Sequence, residues 1–259
     1  MATLRRAAGL LLALAVAQAC SPQPSSNPNP VSSPGPPRVR EEVVARHARQ
    51  FNEDDPDRRA GSQGEQIAAA YLVAHLQTAG YGTFLDPVPV SNLVRSTNVV
   101  ATPPSGRRPL VAVTVPYDTT PPVEAGPTRG GAEALGLFLE LARALSIARP
   151  QHRISFVALG AEHAEVSGGR LGSRRLVIYL RERSLSPLMV VLEDIDVGET
   201  SVQATGDKAE EVVGGTAPGR AEGPVAEVLE AAGLDVLTVS GGARETGDAL
   251  LGYLGARAR

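Results

Sequence analysis

Glu162 and His163 are neighbours, and they follow directly on the apolar run Arg-Ile-Ser-Phe-Val-Ala-Leu-Gly at 153–160. A glutamate on the loop that leaves a buried strand is a candidate general base. Whether the pair does chemistry depends on the ligands or catalytic groups that stand around it. Upstream, a second apolar run at 110–115 leads into Pro116, Tyr117 and Asp118, and a third at 188–195 ends among Glu193, Asp194, Asp196 and Glu199. Open α/β sheets gather their ligands and catalytic groups at the carboxyl ends of strands, so acids at such ends could face one crevice. The acids after the third run can be read as a cation site, or more simply as a solvated loop end.

Other chemistries lack their residues. Glu165-Val-Ser-Gly-Gly169 is missing the first glycine of a nucleophile elbow. Gly214-Gly-Thr-Ala-Pro-Gly-Arg220 has no Gly-Lys-Ser/Thr ending and reads as a loop, without the phosphate grip of a nucleotide site. His47, His75 and His152, the other three of the four histidines, fall within expected helices or just before a strand and read as packing or surface residues.

Alternating periodicities place these residues. Helices are expected at 40–51, at 62–79, at 130–145, at 173–183 and at 221–232, and strands at 98–101, 110–115, 154–159, 188–195 and 235–240. Ser62-Gln-Gly-Glu65 has the form of a capping box, with serine accepting from the amide three residues on and glutamate returning to the cap, and Gly80 stops that helix. Strands alternating with helices predict one three-layer α/β/α domain with a mainly parallel central sheet.

The N-terminus has a different character. Residues 1–19 read as a signal peptide: Arg5 and Arg6, an apolar stretch too short for a confident membrane span, then small residues before Cys20. The sequence before Cys20, the chain's only cysteine, is similar to a bacterial lipobox, which makes Cys20 a lipidation site; plain cleavage near Ala19 is the alternative. Residues 20–38 read as a tether, with seven prolines between 21 and 37. The expected product is an exported, membrane-anchored lipoprotein of the bacterial cell envelope whose folded part is 39–259; either its C-terminus is shortened, or 248–257 is the terminal helix and an inner segment is lost. Net charge is −3, Lys208 is the lone lysine among 25 basic residues, and no basic stripe with interleaved aromatics appears, which argues against nucleic acid as a partner.

Over 40–200 the chain resembles the di-zinc aminopeptidases (peptidase family M twenty-eight), whose wider group includes glutamate carboxypeptidase, glutaminyl cyclase and the non-catalytic transferrin receptor. The likeness rests on Arg59-Ala-Gly-Ser-Gln-Gly64, Asn98-Val-Val-Ala101, Tyr117-Asp118, Phe156-Val-Ala-Leu-Gly-Ala-Glu162 and Leu171-Gly-Ser173, in this order and spacing. It implies two zinc ions, a bridging carboxylate and a glutamate base acting on metal-bound water. It implies that Glu162 stands at the base position, and that Asp118 matches the acid that orients a histidine ligand. His163 stands at a ligand position, and Asp194 or Asp196 is the match for a further acidic ligand. Three ligand positions are lost: Pro116 stands where the first histidine belongs, Gly130 in the glycine-rich segment of the bridging aspartate, and Ala249 where the last histidine belongs.

One histidine at a matched position cannot fill two coordination shells. The expectation is therefore a peptidase frame without catalysis and without a cofactor, binding a peptide or protein partner at the envelope, with a membrane reached through the N-terminal lipid. The alternative is an active exopeptidase with a single zinc held by Asp118, His163 and Asp194 or Asp196.

Overall fold

Four apolar runs become adjacent parallel strands because both of their faces are covered by helices. The computed structural model describes residues 38–54, 57–120, 131–164, 166–196, 200–212 and 221–257. The expectations for the signal peptide, for Cys20 and the tether, and for Gly130 fall outside these residues. The strands are β1 (Gly82–Pro89), β2 (Arg95–Thr102), β3 (Val111–Pro116), β4 (Ile154–Leu159), β5 (Leu188–Asp196), β6 (Ser201–Thr205) and β7 (Val236–Gly242). The helices are α1 (Glu41–Arg49), α2 (Gln63–Thr78), α3 (Ala132–Ala148), α4 (Leu171–Glu182), α5 (Asp207–Val212), α6 (Pro224–Ala231) and α7 (Ala243–Arg257).

The seven strands lie in the order β1-β2-β4-β3-β5-β7-β6. Strands β4, β3, β5 and β7 are mutually parallel, and antiparallel pairs flank them: β1 with β2, β2 with β4, and β6 with β7. The architecture is α/β with helices on both faces, as expected.

Side chains alternate cleanly between two cores. Val99, Val113, Phe156, Val190 and Leu237 face α1, α2, α3 and α7. Val100, Ala112, Val157, Val191 and Val236 face α4 and α6. Each large apolar side chain buried this way contributes roughly 1.5–3 kcal/mol. The α1–α3 crossing is tight: a Cβ at Gly136 would lie 2.4 Å from the Val44 carbonyl oxygen. Across the other face, Arg175 of α4 forks onto Asp86 of β1, with Nη2 at 2.7 Å and Nε at 2.9 Å, and so ties helix to edge strand.

Several elements differ from the sequence expectation. The first helix ends at Arg49 and continues as a π-helical turn over Gln50–Asp54. Helix α4 begins at Leu171, two residues before Ser173. The edge strands β1 and β6 and the short helix α5 were not expected at all. Residues 248–257 are helical, as one of two alternatives for the chain end held, but the helix begins earlier, at Ala243.

The capping box also forms only in half. Ser62 Oγ accepts from the Glu65 amide at 3.0 Å. The Ser62 amide, however, already donates to the Arg59 carbonyl at 2.8 Å. Glu65 instead accepts from the Gly61 amide at 2.5 Å and from the Ser96 hydroxyl. The predicted stop holds: Gly80 takes φ 89°, with its amide on Gln77 and that of Tyr81 on Leu76, a Schellman end.

Candidate functional site

Strands β3 and β4 end side by side, with Pro116 in register with Leu159, so the residues that follow each strand meet. Pro116, one of the lost ligand positions, lacks a donor. The β3–β5 ladder runs only as far as Thr114, so no bond is lost there. The Tyr117 amide donates to the Leu159 carbonyl at 2.9 Å and carries the chain on to Asp118.

Asp118 is buried and ties the two strand ends together. Its Oδ2 accepts from the His163 amide at 2.8 Å, and its Oδ1 accepts from the Glu162 amide at 3.1 Å. His163 Nδ1 lies 3.3 Å from Oδ1, with 37 % of the imidazole side chain exposed. Burial opposes a proton on His163, but the hydrogen bond and charge of Asp118, with the charge of Glu162, outweigh it and raise its pKa. Asp118 thus holds both the main chain and the ring of His163.

Glu162 is turned inward, with 7 % of the residue exposed. Ala161 takes φ 57° and swings the chain under α4. Ser173 then donates its amide to Glu162 Oε1 and its hydroxyl to Oε2, the latter at 3.2 Å. Helix α4 has no side-chain cap on Arg170, so Glu162 supplies the acceptor and the negative charge that its first turn needs. The fit is close: a Cβ on Gly172 would stand 2.2 Å from the Gly160 carbonyl oxygen and 2.9 Å from Glu162 Oε1. Asn98 completes the clamp, accepting from the Gly160 amide at 3.1 Å and donating to the Gly172 carbonyl at 2.9 Å. Burial first, then the nearby Asp118, pushes the Glu162 carboxyl up to about 7, against the pull of the Ser173 hydrogen bonds.

Two further acids belong to this edge. Glu65 is 2 % exposed and lies so close beneath Gly160 that a Cβ there would be 2.9 Å from its Oε1. Burial pushes it up to about 7 despite its bonds from Ser96 and Gly61. Glu193 is expected, with its neighbours, at a cation site or a solvated loop end. It is instead half-buried, pushed up to about 7 by burial and then by the charge of Asp194, with a smaller contribution from Glu162. The N-cap residue of α6, Gly223, packs onto its carboxylate; a Cβ there would lie 1.8 Å from Oε2. A β-bulge between Leu192 and Ile195 sets two residues, Glu193 and Asp194, where β7 has one, and Asp194 adopts φ 46°.

Asp118, Glu162 and His163 are therefore brought together. Asp194 is exposed on the bulge of β5, and the Asp196 side chain lies outside the described part. Ala249 sits at an exposed position within α7, while its neighbour Asp248 accepts from the Val39 amide at 3.0 Å. Among the described residues no group of three or more His, Cys, Asp or Glu side chains converges as a metal site. Zinc needs at least three donors converging on one point, and the described side chains do not supply such a set.

The sequence reading missed Ser173, Glu65 and Ser96 as members of this network. Ser173 carried a signal, since a serine in the first turn of a helix that follows a glycine pair is placed to donate back to a preceding loop. Ser96 carried none, because only the tertiary fold brings it to Glu65. The remaining histidines pack against other rings: His47 Nδ1 lies 2.7 Å from the Tyr71 hydroxyl, the His75 ring meets His47 edge-on and Tyr71 at a tilt, and buried His152 contacts Tyr81 Oη at 2.9 Å.

No family model and no curated protein matches the sequence. Solved structures do match in fold. Porphyromonas gingivalis glutaminyl cyclase aligns with TM-score 0.67 at 14 % identity, over 84 % of this chain and 98 % of that one. A leucine aminopeptidase precursor from Bacteroides thetaiotaomicron gives 0.64 at 13 % identity, over 86 % and 98 %. A Zn-dependent exopeptidase from Parabacteroides distasonis gives 0.64 at 12 %, over 86 % and 99 %. The chain has a zinc-exopeptidase-like fold. At these identities the likeness speaks for the fold alone, and a fold does not fix a reaction.

Proposed function

We propose that this chain keeps a metallopeptidase-like frame without catalysis and binds a peptide or protein partner at the bacterial cell envelope, held to a membrane by a lipid on Cys20. The observation that carries this reading is the inward turn of Glu162. Both of its oxygens are engaged by Ser173, and the carboxylate acts as the cap of α4. A general base must reach the proton that it removes, and this carboxylate has been given other work. Asp118 is spent likewise, on two main-chain amides and the His163 ring.

One observation favours a second reading, an exopeptidase with a remodelled single-zinc site on His163. Burial pushes the Glu162 carboxyl up to about 7, the range suited to proton transfer at neutral pH. Hydrolysis of amino-acid 4-nitroanilides, with and without added zinc, separates the two. The first reading expects no turnover above background from the wild type or from Glu162→Gln. Zinc-dependent turnover that Glu162→Gln abolishes would establish the second. Lipidation is tested by the mass of the membrane-extracted protein, which should lose an acyl increment in Cys20→Ser.

A further inference from the structure

A groove of about 410 Å³ opens at the opposite end of the central strands from Glu162, where β2 ends and β3 and β4 begin, beneath the second half of α4. Its size lies within the range of roughly 300–1,000 Å³ that small-molecule sites occupy. Val100, Ala112, Val157, Leu176 and Leu180 make the floor and one wall, and Arg107, Arg108 and Arg183 stand at its rim. The lining is apolar beneath and positively charged above.

Arg107 and Arg108 are exposed, and neither forms an ion pair among the described residues. Their loop is fixed by Arg153, whose Nε donates to the Arg108 carbonyl at 2.9 Å. The Arg183 guanidinium lies 4.1 Å from the centre of the Tyr179 ring, which positions it over the groove. Its contact with Glu182 is 3.7 Å long and exposed on both sides, so it adds little.

The polar groups of the floor decide what kind of molecule fits. Strands β2, β4 and β3 are consecutive neighbours, so their main-chain groups serve the sheet. Ser155 Oγ already donates to the Val111 carbonyl at 3.3 Å, and Thr102 Oγ1 to the Gly82 carbonyl at 3.0 Å. A peptide laid there would bury amides with no partner, which is costly. A hydrocarbon chain has no such groups to satisfy. We propose that the groove binds a long-chain carboxylate, with its tail on the apolar floor and its head group on Arg107 and Arg108. Guanidinium groups suit this head group because they meet a carboxylate with two parallel hydrogen bonds. The site lies away from Glu162 and does not depend on the reading of that centre.

Calorimetric titration of the full chain with octanoate, decanoate and dodecanoate, each below its micellar concentration, tests the assignment. Affinity should rise from octanoate to dodecanoate, by up to about fourfold for each methylene that is buried. The double substitution Arg107→Glu/Arg108→Glu should weaken dodecanoate by about tenfold or more, with an unchanged melting temperature. Dodecanol, which has the same tail without the charge, should bind more weakly by a similar factor. No binding of dodecanoate, equal binding by the double variant, or equal binding of dodecanol would overturn the proposal. A peptide with an apolar C-terminus that binds more tightly than dodecanoate would overturn the choice of occupant.

Discussion

Asp118 shows how a residue with a catalytic look can serve structure. Its carboxylate receives the amides of Glu162 and His163, so it fixes the loop after β4 against the end of β3. Asp118→Asn keeps the shape but replaces one accepting oxygen with a donor that faces an amide. Charged hydrogen bonds of this kind are worth about 1.5–3 kcal/mol, and the variant should lose about that much in urea unfolding. A variant as stable as the wild type would mean that these bonds do not hold the loop. His163 should also titrate lower in Asp118→Asn, because the hydrogen bond and charge that raise its pKa are gone. Proton NMR of the ring would register the change.

At the level of elements, the positions of helices and strands follow from packing that small residues permit. Gly136 lets α3 approach α1 until a Cβ would stand 2.4 Å from the Val44 carbonyl oxygen. Main chain cannot yield as a side-chain tip can, so Gly136→Ala should cost about 1–3 kcal/mol despite its better helix propensity. A stabilised Gly136→Ala would show that the two helices are free to part. The four central strands were legible because burial on both faces makes them continuous apolar runs, and α2 was legible from Ser62 and Gly80. The edge hairpin was not. Strand β1 contains Pro87 and Pro89, which argue against a strand wherever both sides need donors, yet β1 pairs on one side only, with β2. Strand β6 is short, polar and likewise at an edge. At the site, the meeting of Asp118 with Glu162 was legible from strand ends. The Ser173 cap and the Glu65–Ser96 pair were not, because each joins side chains across elements.

Over the whole molecule, buried acids and buried histidines act oppositely on stability. Glu65, Glu162 and Glu193 are each pushed up to about 7, so the folded chain holds more protons than the unfolded chain between about pH 4.5 and 7. That contribution is complete below about 4.5 and is lost as pH rises through 7. Burial lowers His47 and His152 to about 4, so their contribution is present above about 6.5 and lost as pH falls through 4. The two sets offset each other between about 4.5 and 6.5, and above that only the acids, with the raised His163, still change. The melting temperature should therefore fall from about pH 6 to about pH 8. Glu65→Gln should flatten that fall, since a carboxyl moved from 4.5 to about 7 corresponds to something on the order of 3 kcal/mol. A melting temperature that climbs over this interval would refute the assignment.

The central claim is that a zinc-exopeptidase-like frame here uses Asp118, Glu162 and His163 to hold itself together rather than to hold zinc. Elemental analysis of the purified full chain, after exposure to zinc and then mild dialysis, tests it most directly. The account predicts no stoichiometric zinc in the wild type, and no difference on His163→Ala. A full equivalent retained by the wild type and lost from His163→Ala would contradict it.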